Sequence, residues 1–247
     1  MRIKCLSCEA LARLVYLCAA HSPHIVDIEL FKLGWHKDAD DLRQKLQHSI
    51  DAVQEDEYDA IILGYGLCGR STAGLVARNI PLVIPRAHDC ITLFLGGRSK
   101  YTHEFEDNPG TYWYVRDYLE RSVGDTSLSI GADMGADADA LYAEYTEKYG
   151  KDNADYLMEV MGAWREHYKR AAFIDMGVVD GAASEKEAAE VAERRGWSFD
   201  KLAGDLILIK RLLDGDWNED FLIVQPGETI SMSYDWGVMN CILAPVV

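Results

Sequence analysis

Residues 59–63, DAIIL, form a short apolar run that ends in Gly64-Tyr65-Gly66-Leu67-Cys68-Gly69. A strand stopped by glycines in this way sets the frame for the rest of the chain. Upstream, residues 2–7 alternate as a short strand, and residues 9–20 carry Leu11, Leu14, Val15 and Cys18 at helical spacing. Period-two apolar residues mark a strand at 25–33, and Leu42, Leu46, Ile50 and Val53 line one face of a helix at 38–55. Downstream, a short helical piece at 71–78 leads through Pro81 to a further strand at 82–85. Strands alternating with helices predict an α/β fold with a Rossmann-like, mostly parallel sheet flanked by helices.

Beyond Cys90 the pattern changes. Gly96-Gly97 and Asn108-Pro109-Gly110 punctuate residues 91–124, which read as a helix start, a loop and an edge strand or second helix. A helix is expected at 138–168, a buried strand at 171–176, a helix at 186–195, and a strand at 221–225 stopped by Pro226-Gly227. The 247 residues suffice for a single α/β domain, 1–247. They also allow two similar halves, 1–124 and 170–247, joined by the helical segment 138–168.

Charge narrows the function classes. Lys and Arg total 25 against 41 Asp and Glu, a formal net charge of -16, which disfavours nucleic-acid backbones and anionic membranes as partners. The N-terminus carries no apolar signal region, and no apolar run approaches the roughly 20 residues needed to span a bilayer. The chain is therefore expected in the cytoplasm, where its 6 cysteines serve as thiols, metal ligands or redox groups.

In a parallel α/β sheet, ligands sit outside the carboxyl ends of the strands. Cys8 follows the first strand, Cys68 the third, and His88-Asp89-Cys90 the fourth. With strand order 2-1-3-4 these ends are neighbours, about 5 Å apart laterally. Thiolates with an imidazole suit zinc, and thiolates alone also hold an iron–sulfur cluster. Cys68, His88 and Cys90, completed by Cys8 or Cys241, are therefore the candidate metal ligands. Buried cysteines that merely pack are the alternative, and Cys5 and Cys18 are assigned to the core. Glu9 and Asp89 adjoin candidate ligands, where a carboxylate orients a histidine or accepts a proton. Arg70 and Arg86 flank the cluster and offer an anionic group of a small-molecule substrate a partner.

The glycine loop also meets the terms of a dinucleotide fingerprint: Gly64-x-Gly66-x-x-Gly69 follows a strand, precedes a helical piece, and has Asp89 about twenty residues beyond. Gly64, Tyr65, Gly66 and Gly69 are therefore candidate substrate-binding residues, with a nucleotide-dependent oxidoreductase as the alternative function. The short helix and the Pro85-Arg86 dipeptide before the acid count against it. Tyr142, Tyr145, Tyr149 and Tyr156, at helical spacing, read as a packed face, and the acidic run at 133–139 as a solvated loop or helix start.

Ser7-Cys8-Glu9, then Leu63-Gly64-Tyr65-Gly66-Leu67-Cys68-Gly69, then Ile84-Pro85-Arg86-Ala87-His88-Asp89-Cys90-Ile91 with Leu95-Gly96, resemble the domain of unknown function 1638 family. The segments Gly204-Asp205-Leu206, Gly215-Asp216-Trp217 and 221–227 add to the likeness. The resemblance implies a setting beside corrinoid-dependent methyltransferase systems of anaerobes, with a corrinoid protein or methyltransferase as partner. His88-x-Cys90 with a distant cysteine is also similar to the ligand pattern of zinc methyltransferases, although those enzymes are larger barrels. The resulting expectation is metal-thiolate-dependent methyl transfer in anaerobic one-carbon metabolism, involving a corrinoid or thiol acceptor. A non-enzymatic metal or corrinoid carrier is the reading from a different class.

Overall fold

The N-terminal alternation forms β1 (Arg2–Cys8), a 3-10 turn (Glu9–Leu11) and α1 (Ala12–His21), followed by β2 (Ile25–Phe31). The computed structural model of the chain describes residues 1–35, 38–121, 146–147, 150–151, 153 and 168–244. Contacts divide the chain into two units, Met1–Thr102 with Gly204–Val247, and His103–Ala203.

In the first unit, α2 (Ala39–Asp51), β3 (Ala60–Gly64) and β4 (Leu82–Pro85) follow, then α3 (Cys90–Leu95). The chain leaves along α4 (Arg98–Asp107) and later returns as α7 (Ile207–Asp214), β8 (Phe221–Val224), β9 (Glu228–Met232) and β10 (Met239–Leu243). The sheet order is β2-β1-β3-β4-β8, parallel except for β8, which pairs antiparallel with β4. Hence the strand order 2-1-3-4 expected from the sequence is the order found, with one antiparallel edge strand added.

Period-two alternation divides the buried residues between two layers. Leu6, Ile61, Leu63, Leu82 and Ile84 share a cluster with Leu42, Leu46 and Ile50 of α2. Each such α2 side chain contributes about 1.5–3 kcal/mol of burial, and Asp38 fixes where that helix starts by accepting from Asp40 N and Asp41 N, both at 3.0 Å. Ile3, Cys5, Ile62 and Val83 are buried as well, while α1 packs against α7 and α7 against β3 and β4. The central sheet is thus mostly parallel and flanked by helices.

The helical piece expected at 71–78 is not formed. Gly74, with φ +90, interrupts it, and the segment instead pairs with β9. Gly74 N donates to Ile230 O (2.7 Å), Ala77 N to Glu228 O (3.0 Å) and Ile230 N to Leu75 O (3.0 Å). Long-range pairing here overrides local propensity.

The second unit is built on a parallel sheet, β5-β6-β7, made of β5 (Thr111–Val115), β6 (Arg170–Asp175) and β7 (Ser198–Ala203). Among its described residues, the region 91–124 thus holds α3 from its second residue, α4, the edge strand β5 and then α5 (Arg116–Leu119). Helix α6 (Ala182–Arg195) connects β6 to β7. Tyr112 packs against Tyr168 and Trp197 at ring-centroid distances of 5.2 and 5.5 Å. Buried Arg170 bonds Glu104 (2.9 Å) and Asp200 (2.6 Å), the pairing a desolvated charge requires. The helix expected at 138–168 falls almost wholly outside the described residues, as do Tyr142, Tyr145, Tyr149, Tyr156 and the run at 133–139.

Candidate functional site

Cys8 ends β1, Cys68 lies in the loop after β3, and Cys90 opens α3 after β4. Because β1, β3 and β4 are adjacent and parallel, all three cysteines lie at the carboxyl ends of neighbouring strands. All three are partly buried, and none is in a disulfide. Each is close enough to act electrostatically on the others. The Cys68 thiol is pushed up first by burial, then by Cys8 and Asp89. Cys90 is raised by burial, then by Asp89, Cys68 and Cys8. Tyr65 is raised by burial and then by Cys8, Cys68, Cys5 and Glu9. Burial, and then side chains that are all acidic, favour the protonated thiol at Cys68 and Cys90. Among the described residues, no group of three or more His, Cys, Asp and Glu stands ready to hold a metal ion.

The two loops that carry Cys68 and Cys90 are joined by backbone bonds. Leu67 N donates to Ala87 O (2.8 Å) and Cys68 N to His88 O (2.9 Å). That close approach explains Gly66: a Cβ there would stand 2.8 Å from Ala87 O and 2.9 Å from Asp89 N. Gly64 answers to another neighbour, since a Cβ would lie 2.3 Å from Ser7 Oγ across the β1–β3 pairing. Cys68, Gly69 and Arg70 all have positive φ (45, 62 and 77). For the two residues bearing a Cβ this costs about 1–2 kcal/mol each. Both glycines are thus needed for contacts within the protein, and no helix follows the loop to receive a pyrophosphate, so the dinucleotide fingerprint lacks its anion-binding end.

The remaining candidates are placed as follows. His88 is exposed, its ring 6.2 Å from that of Tyr101. Asp89 caps α3, its carboxylate accepting from Ile91 N (2.9 Å) and Thr92 N (3.4 Å). Glu9 accepts from Leu33 N (3.1 Å). Arg86 donates through Nε to Phe221 O (3.2 Å) and through Nη1 to Gly237 O (3.1 Å) and Met239 O, which ties β8 to the β9–β10 hairpin. Arg70 is exposed. Cys241, on β10, donates to Glu228 and is raised by burial and by that carboxylate; its other charged neighbour is Arg86. The structure therefore brings Cys8, Cys68, Cys90 and Asp89 together and gives Cys241 a different set of partners. Cys5 and Cys18 are core residues, with burial pushing their thiols up to about 12 and about 11.

A family profile described as "Protein of unknown function (DUF1638)" matches residues 30–213, more than half of the chain. The chain belongs to this family. No curated protein and no solved structure matches it. The DUF1638 span contains Cys68, His88, Asp89 and Cys90, while Cys8, Glu9 and Cys241 lie outside it. Also within the span, in the second unit, a small cleft at the ends of β5 and β6 is lined by Val115, Arg116, Asp117, Phe173 and Asp175 among others. Its Arg116 is bonded to Glu120 and Asp180 O, and its Asp175 to Gly177 N and Lys201.

The sequence reading missed Ser71 and Thr72 of this DUF1638 protein, both fully buried beside Cys68. A polar pair directly after a glycine-rich loop was the available signal. Asp89 carries a pH dependence. Burial raises its carboxyl above the ordinary range, against the lowering effect of the capping N–H groups and His88. A folded-state pKa above the unfolded one means that stability falls as pH rises through that window. Asp89→Asn keeps a capping oxygen and removes the charge. It is expected to raise the urea midpoint at pH 7 and to leave it unchanged below about pH 3, where the carboxyl is protonated in both states.

Proposed function

We propose that this DUF1638 protein is a cytoplasmic metal-thiolate protein in which Cys8, Cys68 and Cys90 hold zinc or the iron of an iron–sulfur centre. The observation that carries this reading is the convergence of three partly buried thiols at the carboxyl ends of neighbouring strands, where the side chains that act on Cys68 and Cys90 are acidic. Such a donor set suits a soft cation, which replaces mutual repulsion by attraction. The bonds from Leu67 and Cys68 would hold the backbone of the two loops while the thiols take up such a cation. His88, exposed at the rim, is the further donor within the family span.

The activity we propose is methyl transfer to or from a corrinoid or a thiol, in a Rossmann-like setting with the ligand at the strand ends. A bound zinc would lower the pKa of a substrate thiol, so that the thiolate could form an S–C bond to a methyl group as the donor–methyl bond breaks and its electron pair stays on the donor. Within the chain, Cys8, Cys68 and Cys90 hold the centre, Asp89 keeps Cys90 at the start of α3, and Tyr65 keeps its hydroxyl proton beside the thiols. Cobalt(II) reports the site directly. Anaerobic titration is expected to give a thiolate-to-metal absorption band in the wild type that is lost in Cys68→Ser. Equal bands in both proteins would remove Cys68 from the ligand set.

A further inference from the structure

Ser71 and Thr72 have no solvent exposure, yet both carry hydroxyls. A buried hydroxyl needs a partner, and these two share one target region. Ser71 donates twice to the Cys68 carbonyl, through N at 3.2 Å and Oγ at 2.9 Å. Thr72 Oγ1 donates to Gly66 O at 3.1 Å. Between those bonds runs the left-handed series Cys68, Gly69 and Arg70. Ahead of it, Leu67 N and Cys68 N are held by Ala87 O and His88 O.

Successive left-handed residues persist only where the surroundings impose them. Gly69 and Arg70 are exposed, and a Cβ on Gly69 would meet nothing within 4 Å, so crowding does not impose this turn. Hydrogen bonds hold it instead: Ser71 and Thr72 donate to the carbonyls of Cys68 and Gly66, and the Arg70 carbonyl accepts from Ala73 N (3.2 Å) and Arg43 Nη2 (3.5 Å). We infer that Ser71 and Thr72 are positioning residues that hold the loop bearing the Cys68 thiol at the strand ends beside Cys8 and Cys90. The inference rests on the metal-thiolate reading only for what the assembled thiols bind.

Two probes separate those claims, each applied to the reduced full-length chain under anaerobic conditions: cobalt(II), and phenylarsine oxide. The arsenical takes two neighbouring thiols and releases one water, forming two As–S bonds with no change of oxidation state. In the wild type, peptide mapping is expected to find Cys68 bridged. Ser71→Ala and Thr72→Val are expected to slow bridging at Cys68 and weaken cobalt binding, each tenfold or more. Thr72→Ser, which keeps the hydroxyl, is expected to retain both. Wild-type bridging rates in the two variants without hydroxyls would overturn the inference. So would equal loss in Thr72→Ser and Thr72→Val, or a wild type in which Cys68 is not bridged. If Ser71→Ala does not fold, the Thr72 pair decides alone. A wild type that takes the arsenical but no cobalt would end the metal reading, and the bridging comparison would still decide the positioning role.

Discussion

Gly66→Ala is expected to lower stability by about 3 kcal/mol, the upper part of the range for forcing atoms into a packed interior. The new Cβ would meet Ala87 O at 2.8 Å, Asp89 N at 2.9 Å and Asp89 Cα at 3.0 Å, all of them backbone atoms. No flexible side chain is there to yield. Relief requires parting the loops that the Leu67–Ala87 and Cys68–His88 bonds hold together, so the thiols separate as well. Gly69→Ala provides the contrast, because its site is open and only its φ of +62 resists a side chain. Its expected cost is about 1 kcal/mol. Urea unfolding of both variants measures the difference, read as a shift in midpoint at unchanged slope. Equal midpoints would mean that contact between the two loops is not what requires glycine at position 66.

The sheet was legible because its strands announce themselves locally. Residues 59–63 and 82–85 are short apolar runs bounded by glycine or proline, and the resulting order puts β1, β3 and β4 side by side. That order is what makes three distant cysteines neighbours. The crossover at 71–78 was misread because its partner, β9, lies some 150 positions further along the chain, and no local pattern reports that pairing. β10 posed a similar difficulty: the spacing of Cys241 from the other cysteines gave no sign that Glu228 and Arg86 would be its neighbours. Asp89 was legible only as a carboxylate beside Cys90; its second role, capping α3, depends on where that short helix begins, and the same carboxylate acts on the Cys90 thiol. Arg86 reads from sequence as an anion partner, but three carbonyls from the β8 and β9–β10 region occupy its Nε and Nη1.

Metal content of anaerobically purified protein tests the central claim most directly, with wild type compared against Cys90→Ser. A serine at position 90 preserves the size of the side chain and the start of α3, while it removes a soft donor that zinc and iron–sulfur centres require. The expected result is about one zinc per chain, or one iron–sulfur cluster, in the wild type, and a loss of most of that metal in Cys90→Ser. Metal-free wild type from protected preparations, or equal metal in both proteins, would contradict the assignment of Cys8, Cys68 and Cys90 as a metal-thiolate site.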